Sequence, residues 1–252
     1  MSRPHDAGLE SSVAVILTEI ESMGSPEDRA GMARYGIVVD DAYGVSVYEL
    51  RRIGKRLGRD HRLALALWDT GVHEARLLAA FTDEPALVDD AQMERWAADF
   101  DSWDICDQAT TDLFDQTPLA WPKAVEWSHR REEFVKRGGF ALMAGLAVHD
   151  KRSPDERFVE LLAHIEREAF DERNFVKKAV NWALRNIGKR NVALNEAAAA
   201  CAQRIRAAAD TRAGGPRGGD AGARSARWVA NDALRELGSP KVQARLRARA
   251  PG

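Results

Sequence analysis

Apolar residues recur along most of the chain with the period of an α-helix. Residues 173–190 show this best, because Val176, Val180, Ala183, Leu184 and Ile187 fall on one side of a helix. The same period predicts further helices at 9–23, 26–35, 46–58, 60–70, 73–82, 89–100, 102–114, 120–130, 132–149, 155–169, 191–210, 225–237 and 239–248. Residues 37–48 are strand-like, but one hairpin would have no sheet to join, so we expect a loop that leads into a helix.

Local signals suggest where these helices begin and where the chain is irregular. Ser25, Asp89 and Asp101 are predicted N-caps. Five glycines and one proline predict a loop at 211–226. Residues 238–252 are predicted to be a basic C-terminal tail, of which KVQARLRARAPG at 241–252 is expected to be frayed. We therefore expect one folded domain at 1–237, followed by that tail.

Four predicted helices share one layout: a polar start, an aromatic or aliphatic residue, a basic or polar pair and an apolar run. These segments begin near residues 73, 132, 172 and 226. The second and third are 41 residues apart, counted from Arg137 to Lys178, a spacing typical of HEAT-like repeats. Helix pairs of this kind stack into a solenoid with a concave face. The sequence therefore predicts an all-α, HEAT-like helical-repeat solenoid.

The composition and charge of the chain limit the classes of protein to which it could belong. The 252 residues are 45% hydrophobic and 30% charged, enough for a core and a soluble surface. The net charge of -2 conceals an asymmetry, because residues 201–252 hold eleven Lys or Arg against four acids. Near-neutrality therefore does not exclude a polyanionic partner, since binding depends on where the charges cluster.

Membrane, secreted and metal-binding classes are not expected. The longest uncharged stretch, GGFALMAGLAVH from Gly138, is far shorter than the roughly 20 residues of a membrane span. Acidic residues precede the first apolar run, which is unlike a secretory signal. Two cysteines and six scattered histidines form no metal-ligand pattern. We expect a cytoplasmic protein with no metal.

Basic residues form clusters. One contains Arg51, Arg52 and Lys55. Another runs along the helix at 173–190, where Lys178, Arg185 and Lys189 share a face and Trp182 lies at its border with the apolar stripe. An aromatic side chain beside a basic stripe suits a surface that follows a nucleic-acid backbone. The alternative is an ordinary solvated helix face.

Arg137 precedes eleven uncharged residues, Gly138 to Val148. An arginine at the margin of a buried helix is costly unless it is paired or faces a cleft. It is therefore either part of a buried ion pair or a phosphate clamp, for which the planar guanidinium is well suited. The adjacent glycines, Gly138 and Gly139, are expected to allow close helix packing.

Trp103 and Asp107 are four residues apart on a predicted helix, so their side chains are neighbours. A tryptophan face and a carboxylate together stabilise a cationic group. The spacing favours Asp107 over Asp104 as the partner of Trp103. The alternative is a core tryptophan and an aspartate that serves the helix dipole. Cys106 lies on the apolar stripe of this helix and is expected to be an inert thiol.

Four segments together resemble the bacterial DNA alkylation repair family of AlkD-type DNA glycosylases. They are MARYGI at 32–37, WDICD at 103–107, FVKRGGFAL at 134–142 and FVKKAVNWALRNIGKRN at 175–191. The resemblance extends from about residue 9 to about residue 237. It implies an all-helical, HEAT-like solenoid that holds duplex DNA and hydrolyses the N-glycosidic bond of purines alkylated at ring nitrogen 3 or 7.

The resemblance also implies roles for particular residues. The family's aromatic and carboxylate pair corresponds to Trp103 and Asp107, its arginine on the next buried helix to Arg137, and its second aromatic to Trp182. It implies no metal and no dissociable cofactor, double-stranded DNA containing alkylated bases as partner, and a monomer. Two alternatives are a non-catalytic binder of damaged or branched DNA on the same fold and a helical scaffold for proteins.

Overall fold

The computed structural model describes residues 4–212 and 220–249, and the regular structure within these ranges is entirely helical. The chain divides into two compact units, 1–119 and 120–252. Within the described residues, no helix is long and apolar enough to cross a membrane.

The first unit contains seven α-helices and one short 3-10 helix. Helix α5 packs against α3, α4 and α7, and α1 packs against α4. Its helices are α1 (Pro4–Ser22), α2 (Pro26–Arg34), α3 (Val47–Leu57), α4 (His61–Asp69), α5 (His73–Thr82), α6 (Asp90–Ala98), α7 (Trp103–Asp112) and the 3-10 helix Phe114–Gln116.

Stacked aromatic rings form the centre of the first unit. Trp68 of α4 and Trp96 of α6 lie parallel, with ring centroids 4.0 Å apart. Phe100 meets Trp68 edge-on, and Phe114 packs against Trp96 at 5.8 Å. These rings bury a large apolar area, which fixes α4 and α6 beside each other.

The described residues of the second unit form seven α-helices, six of which lie in two rows. Its helices are α8 (Ala120–Ser128), α9 (Glu133–His149), α10 (Asp155–Glu168), α11 (Asn174–Gly188), α12 (Val192–Arg212), α13 (Ala221–Leu237) and α14 (Pro240–Arg249). One row is α8, α10 and α12, and the other is α9, α11 and α13. Consecutive helices pair across the rows, as in helical-repeat proteins.

Helix α11 shows why the rows form. The five residues of its predicted apolar stripe, from Val176 to Ile187, are completely buried. The stripe faces α9 on one side and α13 on the other, and α10 and α12 cover it from the second row. The predicted period therefore corresponds to the buried face of this helix.

Gly139 allows α9 to lie directly against α8. A Cβ atom at this position would come within 2.5 Å of the Ser128 nitrogen and 3.0 Å of the Ala124 carbonyl oxygen. This confirms the expectation that Gly139 permits a close helix contact.

Most predicted boundaries are within two residues of the observed ones, and the exceptions are the starts of α13 and α1. The loop prediction at 211–226 is wrong at its ends, because α12 continues to Arg212 and α13 already begins at Ala221; residues 213–219 lie outside the described residues. The helix predicted at 239–248 is confirmed as α14, and because α14 buries Leu246, the expectation of a frayed segment is wrong for residues 241–249. At the other end of the chain, α1 begins earlier than the predicted residue 9.

We expect Gly139→Ala to lower the free energy of unfolding by about 1–3 kcal/mol, because the new methyl group overlaps the backbone of α8. Gly31→Ala in α2 is the matched control, since nothing lies within 4 Å of a Cβ there. The control should be neutral or stabilising by up to about 1 kcal/mol through helix propensity. Urea denaturation measures both, and equal effects would show that Gly139 is not a contact glycine.

Candidate functional site

Helix α7 begins with the two residues singled out in the first unit. Trp103 is its first residue, and Asp107 lies one turn later on the same side. The predicted N-cap, Asp101, is wrong; the N-cap is Ser102, and its hydroxyl accepts a hydrogen bond from the Val38 N–H at 2.9 Å instead of capping the helix.

The indole of Trp103 is anchored to the segment after α2. Its Nε1–H donates to the backbone carbonyl of Tyr35 at 3.1 Å. With the Ser102–Val38 bond, two hydrogen bonds tie the end of the MARYGI segment to the start of α7. The ring of Trp103 is half-buried, so one part of it stays accessible in a fixed orientation.

The two aspartates of the WDICD segment have different surroundings. Asp107 is only 8% exposed. Asp104 lies 2.9 Å from the Nε2 atom of His73 on α5, through its Oδ2 atom. Burial lowers the pKa of His73, but the bond to Asp104 and the nearby Glu74 and Asp101 outweigh it, so the pKa is raised above its usual value.

Arg137 lies in the second turn of α9, and only 6% of it is exposed. Its guanidinium donates to the backbone carbonyl of Phe175, at the start of α11, at 2.7 Å. The neighbouring Lys136 donates to Glu168 at 2.5 Å and lies 3.4 Å from Asp171. The KRGG segment thus fastens α9 to the two helices that follow it.

The cations of the predicted basic stripe of α11 have different surroundings in the structure. Lys178 is exposed and forms no ion pair within the part of the chain that is described. Arg185 and Lys189 both bind Glu236 of α13, the latter at 2.8 Å. Trp182 is half-buried and lies one turn from Lys178 and from Arg185. Lys178 and Trp182 are therefore the accessible members of this surface.

The basic residues of α3 also differ in the ion pairs that they form. Arg51 binds Asp112 of α7 through two hydrogen bonds of 2.7 and 2.8 Å and lies over the Phe81 ring. Arg52 pairs with Glu49 on its own helix. Lys55 is exposed and lines a cavity of about 270 Å³ beside Arg51. Exposed ion pairs contribute roughly 0–1 kcal/mol, so these cations can exchange a carboxylate for another anion.

The sequence did not predict the residues that hold α7 in position. The carbonyl of Tyr35 and the imidazole of His73 position α7, yet neither residue type stands out in its segment. The one available signal was that MARYGI occurs together with WDICD in the family that the chain resembles.

Neither a metal nor a reactive thiol contributes to these surfaces in the described residues. No group of histidines, cysteines and acids there could hold a metal ion. Cys106 and Cys201 are both free and buried, as expected for Cys106. Burial raises the pKa of Cys201 to about 12.

Comparison with known families identifies the class of protein that these features define. The family described as DNA alkylation repair enzyme matches residues 16–237. The match covers most of the sequence, and the chain belongs to this family. No curated protein matches the chain.

A solved structure gives the same fold. It is described as "a new family of proteins related to the HEAT-like repeat DNA glycosylases with affinity for branched DNA structures". It aligns with a TM-score of 0.68 over 75% of this chain and 81% of its own, at 19% identity. At this identity the likeness shows the fold, and it confirms the predicted all-helical, HEAT-like class.

The His73–Asp104 pair predicts a pH-dependent contribution to stability. Because the pKa of His73 is raised in the folded protein, the contribution is complete below about pH 6.5 and is lost as pH rises through the folded pKa. We expect His73→Gln to cost roughly 1.5–3 kcal/mol at pH 6 and less at pH 9. Denaturant unfolding across this range measures the difference.

Asp104→Asn provides the control for this pH dependence. In that background, His73→Gln should cost nearly the same at pH 6 and pH 9. A cost that keeps its pH dependence without Asp104 would show that another group raises the pKa of His73.

Proposed function

We propose that this protein is a DNA glycosylase that hydrolyses the N-glycosidic bond of purines alkylated at ring nitrogen 3 or 7 in duplex DNA. The observation that carries the proposal is the pair formed by Trp103 and Asp107 on α7. The indole is anchored by the Tyr35 carbonyl, and Asp104 is held by His73. Both contacts support Asp107 as the carboxylate that acts with Trp103.

The chemistry of the substrate explains why so few groups suffice. A purine alkylated at one of these nitrogens is cationic, and it departs as a neutral base. No general acid is therefore required for the leaving group. Positive charge develops instead on the deoxyribose, and a fixed carboxylate and an aromatic face stabilise a cation.

The reaction consumes one water molecule. The bond between C1′ and the purine nitrogen breaks, and its electron pair leaves with the base. The water oxygen then bonds to C1′, and its proton passes to the Asp107 carboxylate or to solvent. Asp107 thus has two roles, stabilising the sugar cation and orienting the water. Neither step involves a metal or an organic cofactor.

Residues of the second unit supply further contacts in this proposal. Trp182 offers a partly accessible aromatic face to the DNA. Arg137, whose guanidinium also donates to the Phe175 carbonyl, contacts a backbone phosphate, for which its planar fork is suited. Lys178, Arg185 and Lys189, with Arg51, Arg52 and Lys55, bind other phosphates. The protein acts as a monomer in the cytoplasm, at the nucleoid.

A second function is a DNA-binding protein that releases no base. The solved structure with this fold, described as having affinity for branched DNA, favours it. The two functions are separated by incubating the protein with duplex DNA that carries 7-methylguanine. A glycosylase releases free base, whereas a binding protein retains the DNA and releases none.

We expect Asp107→Asn to slow base release by roughly 10²–10³-fold, because the nearly isosteric change removes the charge that stabilises the sugar cation. Single-turnover release of 7-methylguanine measures the rate, and circular dichroism checks the fold. Asp104→Asn is the matched control and should slow release far less, since Asp104 serves His73. Our assignment of the carboxylate is wrong if the control is the inactive variant.

DNA affinity should depend on Lys178 more than on Arg185. Lys178→Gln should make the slope of log affinity against log salt less steep by about 0.9, the loss of one phosphate contact. Arg185→Gln should change it less, because Glu236 and Asp232 already neutralise that guanidinium. Fluorescence anisotropy between 50 and 200 mM salt distinguishes them. Equal slopes for both variants and the wild type would exclude α11 from the interface.

A further inference from the structure

A basic cavity lies in the second unit where α9 and α11 end. Its volume is about 550 Å³. Four cationic side chains line it, together with two amides and no carboxylate: Lys151, Lys189, Arg190, Arg245, Asn186 and Asn191. The composition of the lining favours an anionic ligand.

A second cavity of about 360 Å³ adjoins the first, since Lys189 and Arg245 line both. It adds Lys241 of α14 and one acid, Glu236. We call the two cavities together the C-terminal trough and define it by its five cations: Lys151, Lys189, Arg190, Lys241 and Arg245. One carboxylate among five cations leaves the trough strongly positive.

The trough lies away from Arg137 along α9. Val148, which lines the larger cavity, is eleven residues beyond Arg137 on α9. At 1.5 Å per residue this is a distance of roughly 16 Å along the helix. A ligand in the trough therefore contacts a different part of the second unit from a phosphate held at Arg137.

Some of the cations already have partners within the protein. The Arg190 guanidinium donates to the carbonyls of Ala147 and Asp150, each at 2.8 Å, and Lys189 binds Glu236. Lys241 and Arg245 are exposed and form no hydrogen bond or ion pair with the described residues. These two cations, one turn apart on α14, are the ones most available to a ligand.

Helix α14 holds these two cations in place. Leu246 is buried, and Gln243 donates through its amide to Asn195 Oδ1 at 3.0 Å and to the Leu237 carbonyl at 2.8 Å. The helix is thus docked on α12 and on the end of α13. The backbone that carries Lys241 and Arg245 is therefore already fixed before a ligand binds.

We propose that the C-terminal trough binds the sugar-phosphate backbone of duplex DNA, at phosphates other than the one assigned to Arg137. Five cations spread through two adjoining cavities exceed what one phosphate group contacts, as expected for a polyanionic ligand. The proposal rests on the DNA binding in the proposed function and is independent of its catalytic step.

The test compares two variants of the full chain that differ in where charge is removed. The trough variant carries Lys241→Gln and Arg245→Gln. The control is Arg247→Gln, an exposed arginine on the same helix that does not line the trough and lies about 200° around α14 from Arg245. Circular dichroism and thermal unfolding check that both variants are folded.

Binding to undamaged duplex is measured by anisotropy across a salt series. We expect the trough variant to bind several-fold more weakly, with a slope less steep by about 0.9 for each lost contact. The control should match the wild type. A trough variant that binds like the wild type, or a control weakened equally, overturns the proposal.

Further outcomes separate a failure of the trough proposal from a failure of the proposed function. A wild-type protein that binds no undamaged duplex overturns both the trough and the proposed DNA binding, whereas binding without base release overturns only the glycosylase function. Inorganic phosphate at matched ionic strength tests for a free-anion site. If phosphate raises the melting temperature of the wild type but not of the trough variant, and both bind DNA equally, the trough is not a DNA contact.

Discussion

The structure depends on covering the apolar stripes of its helices. Helices α2 to α7 of the first unit have only 9–11 residues each. Isolated helices shorter than about 12–15 residues are marginal in water, so packing must supply their stability. In the second unit, α11 is covered by α9 and α13 within its own row and by α10 and α12 from the other. The contact at Gly139, where α9 meets the backbone of α8, follows from the same requirement.

Polar side chains at the helix ends then fix each repeat to the next. Arg137 joins α9 to the Phe175 carbonyl at the start of α11. Arg190, which follows α11, reaches back to the carbonyls at the end of α9. These bonds act at opposite ends of the same helix pair, so the pair cannot easily rotate. The side chains along α9 and α11 are consequently presented at constant positions.

The sequence predicted the helices well because a 3.6-residue period is a local property. It even identified α9, α11 and α13 as similar segments, and these form one row. It predicted the helix at 239–248 but not its docking, because a single buried leucine, Leu246, and no apolar stripe provides the contact. It also failed to anticipate how charges pair between helices. Neither Glu236 beside Arg185 nor His73 beside Asp104 is visible without tertiary structure.

The burial of the two cysteines affects how readily electrophiles modify the protein. A thiolate is the reactive form of cysteine, and burial suppresses its formation. Both cysteines are buried, and the pKa of Cys201 is raised to about 12. Electrophiles that methylate purine nitrogens also attack thiolates. A protein with no accessible thiolate is therefore modified less readily by the reagents that alkylate DNA.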